Sequence, residues 1–395
     1  MPILGTFYNF EPCIIIQQAT SRKMSETNLA VFVSGGPGPG INACISSIVK
    51  NASLKGWKVF GFKRSFKSFK EDWRSDIFEL KWDQISLITR QGGSFIPCVR
   101  FNPLSDSSSK KKFEEFLEEF KISKLAIIGG DGSSNLAVGL SKNYPELCIV
   151  VCPKTIDNDL PLSSNTPSLG FSTARNVGAQ LVITMGDDAR SSERWFIVTC
   201  MGRNAGFLSL GVALAAEAHA VIIPEEVPSG TSLSDLVDTV KKVIFARKKT
   251  GKTYGIAVIA EGVLAKTDIS FLSNPPRDEL GRLVYRDLQI GKLIAEELKK
   301  ELCDIIILHK DLGFELRAAA PLAYDLEYGI TLGFGAVEFL AQKRIAGVVL
   351  RDDLRLKLLG FSEILDSEGR VKTRQVDLES DAFTVAKRRM NQWVC

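Results

Sequence analysis

Residues 153–160, PKTIDNDL, set an ammonium (Lys154), a hydroxyl (Thr155) and two carboxylates (Asp157 and Asp159) into one turn-sized segment directly behind the apolar run 147–151. These are the parts of an assisted proton transfer, in which a carboxylate takes the proton of an alcohol while a cation and a hydroxyl donor steady the developing charge. In open α/β sheets ligands sit beyond the carboxyl ends of the strands, so a strand ending in these groups faces the crevice where chemistry would occur. The alternative is a plain polar turn, because Pro153, Asn158 and Asp159 are ordinary turn residues.

Three glycine-rich segments add anion-binding chemistry. Ser34 and the following GGPGPG lie between the apolar run 29–33 and the apolar-periodic stretch 41–49, the pattern of a buried strand, a loop and a helix. Main-chain amides in such a loop can approach a phosphate closely, although a tight βα turn has the same signature. The pattern recurs at 124–140, where GGDG (129–132) carries an acidic residue, Asp131, at the turn itself. A carboxylate cannot bind phosphate directly; it either holds Mg²⁺ that does, or caps the helix that follows. GGSFIPCVR (92–100) again places glycines and a cation, Arg100, in a loop, and MGR (201–203) puts Arg203 between a strand and a helix.

The elements that must position these groups read as alternating strands and helices. Strands are expected at 29–33, 57–62, 124–128, 147–151, 195–200, 219–224, 254–260 and 303–308. Helices are expected at 41–49, 133–140, 169–189, 205–218, 233–246, 283–298 and 326–342. Another, at 110–122, carries Phe113, Phe116, Leu117 and Phe120 as its core stripe. Such alternation implies parallel sheets with crossover helices. Residues 270–281 read as a polar surface loop or lid, and the charged tail after 352 carries no legible motif.

Composition narrows the function. The chain has 395 residues, 45% apolar and 24% charged, with a net charge of +4 and no dense Lys/Arg run, so neither a nucleic-acid footprint nor a membrane partner is expected. Eight cysteines are scattered without CxxC spacing and only two histidines, His219 and His309, are present, which speaks for reduced thiols in a cytoplasmic protein and against a zinc cluster. Residues 13–16 are too short for a signal-peptide core, and 1–27 read as an extension of uncertain order. Catalysis must rest on carboxylates and cations.

SGGPGPGIN, GGSF with Arg100, GGDGS, PKTIDND, SSER, MGRNAG, the strand end at Glu261 and LGFELR occur in an order that resembles the 6-phosphofructokinase family over residues 34–350. The resemblance implies two similar Rossmann-like three-layer α/β domains with mainly parallel sheets and the active site in the cleft between them. The donor domain would span 28–168, with the chain returning to it at about 317–365. The sugar-phosphate domain would span 169–316, with the tail 366–395. It further implies transfer of a phosphoryl group to the 1-hydroxyl of fructose 6-phosphate, Mg²⁺ as cofactor and a homodimer or homotetramer.

By that resemblance Asp157 is the general base, with Thr155 and Lys154 beside it and Arg203 against the transferring group, and Asp131 is the Mg²⁺ ligand. Gly36, Arg100, Gly130, Asp131, Gly132 and Ser133 match donor positions. Thr155, Ile156, Asp157, Arg194, Met201, Gly202, Arg203, Glu261, Phe314 and Arg317 match sugar-phosphate positions. Phe314 stands where relatives carry His or Tyr, and Leu308 where they carry an arginine, with His309 or Lys310 as substitutes. For the donor, Gly132 matches the ATP-type members and Lys154 the pyrophosphate-type members and some ATP users; ATP is favoured, because an aspartate at 132 would repel the α-phosphate whereas Lys154 excludes nothing. The other readings are a regulatory sugar-phosphate-binding subunit and a dinucleotide oxidoreductase. Retention of base, metal ligand and arginine disfavours the first, and the lack of a complete GxGxxG the second.

Overall fold

Apolar runs with little alternation become strands that are buried on both faces, as a parallel sheet flanked by helices requires. The computed structural model describes residues 27–162, 166–270, 272, 275–276, 285–342 and 345–391. In chain order its strands are β1 (Asn28–Val33), β2 (Lys58–Phe62), β3 (Ile77–Glu79), β4 (Ile122–Gly129), β5 (Cys148–Pro153), β6 (Arg194–Cys200), β7 (Ala220–Ile222), β8 (Gly255–Ala260), β9 (Ile306–Leu312), β10 (Ala346–Asp352) and β11 (Arg355–Gly360). Among the described residues they form a seven-stranded sheet, β11-β10-β5-β4-β1-β2-β3, and a four-stranded sheet, β7-β8-β6-β9. All pairings are parallel except those of β3 with β2 and of β11 with β10. The chain is thus of the mixed α/β class with mainly parallel sheets.

Each sheet is covered on both faces. One face of the large sheet packs Phe32, Phe62, Phe66, Phe69 and Trp73 against Phe113 and Phe116 of the helix Ser107–Glu119, with Phe32 and Phe66 stacked at 4.0 Å between ring centroids. The other face is closed by the helices Ile41–Leu54 and Ala323–Leu340. These two helices touch backbone to backbone. A Cβ at Gly333 would lie 2.5 Å from the Cys44 carbonyl, and one at Gly329 2.6 Å from that of Gly40. The helix Ala323–Leu340 returns the chain from the small sheet to the large one, where β10 pairs beside β5 and β11 forms the edge.

The structure moves several expected boundaries. The helix expected over 110–122 stops at Glu119, because Lys121 adopts a left-handed conformation (φ 48°) and Ile122 already opens β4. The helix expected at 283–298 is broken at Gln289 (φ 48°) into Tyr285–Leu288 and Ile290–Glu301. The strand expected at 303–308 is β9, displaced toward the carboxyl end, since pairing with β6 sets its register from Arg194↔Ile306 to Cys200↔Leu312. The tail is ordered as the β10–β11 hairpin and a helix, Asp381–Asn391, which its charge had concealed. The expected extension at 1–27 falls outside the described residues except for Thr27, and the expected loop at 270–281 does so for the most part.

Asp325, fully buried, bolts the return helix to the start of the long helix Phe171–Ser191. Its carboxylate accepts from the Gly170 N–H (2.9 Å), the Thr173 N–H (2.6 Å) and the Thr173 hydroxyl (2.6 Å), acting as a remote cap for that helix. Asp325→Ala leaves three buried donors without a charged acceptor and is expected to cost about 2–4 kcal/mol in urea unfolding, with Asp325→Asn losing less.

Candidate active site

The groups singled out by type and spacing stand almost entirely at the carboxyl ends of the strands of both sheets. β1 runs into the 34–40 glycine loop, β4 into Asp131, β5 into the 154–160 turn, β6 into Met201, β8 into Glu261 and β9 into Gly313. The loops between them enclose a cleft of about 750 Å³. Its walls include Gly36, Arg100, Gly130, Asp131, Gly132 and Ser133 from the side of the large sheet, Lys154, Thr155, Ile156 and Asp157 from the turn, and Met201, Arg203 and Arg317 opposite. A smaller apolar pocket of about 200 Å³ adjoins it, lined by Met201, Glu261, Phe314 and Arg317 together with Tyr285, Gln289, Lys310 and Asp311.

Local chemistry explains how each piece is held. Lys154, almost fully buried, donates to the carbonyls of Ser34 (3.3 Å) and Gly36, and so ties the glycine loop to the end of β5. The approach requires glycine: a Cβ at Gly38 would lie 2.8 Å from Lys154 Cδ, and Gly35 has φ 87°. Burial depresses the Lys154 ammonium to about 8. Asn42 holds the next loop, accepting from the Phe95 N–H (2.7 Å) and donating to the Gln91 carbonyl (3.1 Å). Gly92 in that loop packs on Ala318–Ala319, which follow Arg317. Arg317 lies over the Phe314 ring (4.9 Å), and its Nη1 would be 3.0 Å from a Cβ on Gly36, so cations from both sheets meet at the glycine loop.

In the 154–160 turn, the Thr155 hydroxyl accepts from the Asp157 N–H (3.1 Å) and donates to Asp159 Oδ1 (3.3 Å). Asn158 takes the left-handed conformation (φ 59°), and its side-chain oxygen accepts from the Ser168 N–H. The Asp157 carboxyl is pushed up to about 6, first by loss of water and then by the charge of Glu261, against the opposing pull of the Arg203 backbone amide. Asp159 is pushed up to about 7 by its burial and by Asp157. Sequence reasoning named Asp159 in the turn but gave it no role; its burial beside Asp157, with Asn204 Nδ2 3.4 Å from Oδ2, is a tertiary property.

The helix-cap alternative for Asp131 fails. The helix Asp131–Asn143 begins at that residue, Gly130 stands at the cap position without a side-chain hydrogen bond, and the Asp131 side chain is exposed to the cleft. Among the described residues no three His, Cys, Asp or Glu side chains converge as a metal cage. Gly132 is open, and a Cβ there would meet nothing within 4 Å. Gly202, with φ 134°, accepts at its carbonyl from the Gly262 N–H (2.9 Å) and supports the cleft from behind. Arg194 is the residue that this chain does not bring to the cleft: it opens β6 at the far end of the sheet, beside Asp188 (3.6 Å). Of the substitutes for Leu308, Lys310 lines the smaller pocket, 3.2 Å from Glu315, and His309 does not.

Residues 28–340 match the family model described as phosphofructokinase. The chain is 36% identical over 376 residues to a pyrophosphate--fructose 6-phosphate 1-phosphotransferase from Thermotoga maritima, covering 92% of this chain and 90% of that protein. It is 31% identical over 347 residues to an ATP-dependent 6-phosphofructokinase from Staphylococcus carnosus, covering 86% and 94%. Among solved structures it resembles Pichia pastoris phosphofructokinase in the T-state with a TM-score of 0.69 at 23% identity, over 87% of this chain and 36% of that longer one.

The raised carboxyls make a measurable signature. Asp157 has its folded value above the ordinary 3.8, so its contribution to stability is fully present below the unfolded value and is lost as pH rises through about 6. Asp157→Asn is therefore expected to unfold at higher urea than the wild type at pH 8, by about 1–3 kcal/mol, with the advantage gone near pH 4.

Proposed function

The chain belongs to the phosphofructokinase family, and from that premise we propose that it transfers a phosphoryl group from ATP to the 1-hydroxyl of fructose 6-phosphate, giving fructose 1,6-bisphosphate. The observation that carries the reading is the position of Asp157: a carboxylate raised toward neutrality, facing a cleft whose opposite walls supply glycine amides and the arginines Arg100, Arg203 and Arg317. Phosphoryl transfer needs in-line positioning and neutralisation of charge more than covalent help. Asp157 takes the proton of the sugar hydroxyl, and Thr155 fixes the backbone of the turn that carries it. Arg203 balances charge on the transferring group, while the amides of residues 130–133, at a helix N-terminus, and of the 34–40 loop receive the donor phosphates. Ile156, Met201, Gly202, Glu261 and Arg317 hold the sugar phosphate, with Lys310 on the pocket wall beside Phe314, which offers no polar group.

Asp131 would hold Mg²⁺ together with oxygens of water and donor phosphates, as suits a hard cation where no three His, Cys, Asp or Glu side chains converge among the described residues. The metal supplies neutralisation of phosphate charge. The free thiols of the six described cysteines support a reducing, cytoplasmic setting.

The ATP reading rests on Gly132 and on what lies beyond it. The turn leaves a side-chain-free path, and the cleft continues past it along Phe101, Leu104, Leu136 and Gly139, an apolar wall suited to a nucleobase. Pyrophosphate is the second reading, favoured by Lys154 at the base of the glycine loop and by the Thermotoga relative. Coupled detection of fructose 1,6-bisphosphate separates the two, with kcat/KM for ATP expected to exceed that for pyrophosphate by tenfold or more. The opposite order assigns pyrophosphate, and no product from either donor removes the enzyme reading. In the same assay Asp157→Asn is expected to lose about two to four orders of magnitude in kcat with donor and acceptor KM nearly unchanged.

A further inference from the structure

The tail that carried no legible motif touches in succession the helix that begins at Asp131, the turn that bears Asp157 and the carboxylate that holds the end of the Arg203 loop. The Val371 N–H donates to Asn135 Oδ1 (2.9 Å), and Asn135 Nδ2 in turn donates to the Asp131 carbonyl (3.1 Å), the first residue of the donor-side helix. Three residues later Arg374 meets the catalytic turn. Its backbone N–H donates to the Asp159 carbonyl (2.8 Å), its Nε to the Asn158 carbonyl (3.1 Å) and its Nη1 to the Thr166 carbonyl (3.3 Å). Two residues further, the Val376 N–H donates to Glu225 Oε1 (2.9 Å), which also accepts from the Gly206 N–H (2.9 Å) at the end of the loop that carries Arg203.

We propose that residues 371–376 are a strap that keeps the Asp131, Asp157 and Arg203 loops in register, with Arg374 as the positioning residue for the turn that bears Asp157. Arg374 does not itself line the cleft; its guanidinium acts on the carbonyls of Asn158 and Thr166, and its backbone N–H on that of Asp159. One of these, Asn158, stands in the left-handed region, which asparagine tolerates, with its side-chain oxygen held by the Ser168 N–H and its carbonyl by Arg374. A planar guanidinium with donors at fixed angles suits two carbonyls eight residues apart, and its face is packed 5.0 Å from the Phe207 ring, so the fork itself is held in place. Val371 and Val376 are both buried, which anchors the strap on either side of the arginine. Because three loops hang from six consecutive residues, a slip in the strap displaces base, donor helix and arginine loop relative to one another, the kind of small misplacement to which in-line transfer is most sensitive.

The inference rests on the reading of Asp157 as the base, so wild type and variants are assayed side by side for fructose 1,6-bisphosphate formation. Arg374→Met keeps the stem packed on Phe207 and removes the side-chain donors; it is expected to lower kcat by about 10- to 100-fold while each KM changes by less than about threefold. Arg374→Ala leaves room for a free guanidinium ion, and millimolar guanidinium, far below denaturing levels, is expected to restore at least about tenfold of its lost kcat. A folded Arg374→Met with wild-type kcat overturns the strap, as does a loss that matches the unfolded fraction and shows no guanidinium rescue. Should both variants fail to fold, Arg374→Lys decides: reduced kcat at unchanged KM supports positioning, and wild-type kcat overturns it. An active wild type with an indifferent Arg374 removes this inference alone, whereas an inactive wild type removes the functional reading and this inference with it.

Discussion

Everything in the cleft depends on holding carboxylates close together where little water reaches them. Asp157 and Asp159 stand two residues apart in a buried turn: after burial itself, Glu261 and Asp131 raise the affinity of Asp157 for a proton, and Asp157 and Asp131 raise that of Asp159. Such a cluster destabilises the folded chain at neutral pH, since like charges in a poorly hydrated site repel with little screening. The turn therefore cannot maintain itself. It is held by hydrogen bonds from outside: Ser168 to the Asn158 side chain and Arg374 to the carbonyls of Asn158 and Asp159.

The remainder of the fold follows from that requirement. Two parallel sheets deliver their carboxyl ends to one cleft, and deeply buried packing behind each end makes the polar loops rigid enough to face one another. The return helix Ala323–Leu340, seated on Ile41–Leu54 through glycine contacts, links the two sheets, and Asp325 locks it to the helix that follows the 154–160 turn. Lys154 serves both sides of this arrangement, as the buried residue directly after β5 and as the cation that fixes the glycine loop. Cost at the site is offset by packing elsewhere, which is how a marginally stable chain keeps a strained centre.

The two ends of the cleft differ in character. Beside the large sheet, glycines and helix amides leave a path without side chains, open at Gly132. At the other end the smaller pocket is mostly apolar, with Lys310 paired to Glu315 and Arg317 stacked on Phe314. A cation whose partner is a nearby carboxylate can be drawn to an anion only by exchanging that partner.

Much of this was legible in the sequence, because strand, glycine turn and helix are local patterns fixed by burial on two faces and by the backbone freedom of glycine. The strands that bear the site were located within a few residues, and PKTIDNDL, GGDG and MGR proved to stand at strand ends. Position 309 against 310, the register of β9 and the break at Gln289 were not legible, since edge-strand pairing and a left-handed residue are set by neighbours distant in sequence. The same holds for the remoteness of Arg194 from the cleft, which depends on which end of β6 faces it. The sequence by itself determined the chemistry available: carboxylates, cations and glycine amides, at spacings that only strand-end loops could bear. The tertiary structure alone decided which of these meet and what they become, because proximity, loss of water and the hold of a charged tail on the catalytic turn exist only once chain segments far apart are packed together.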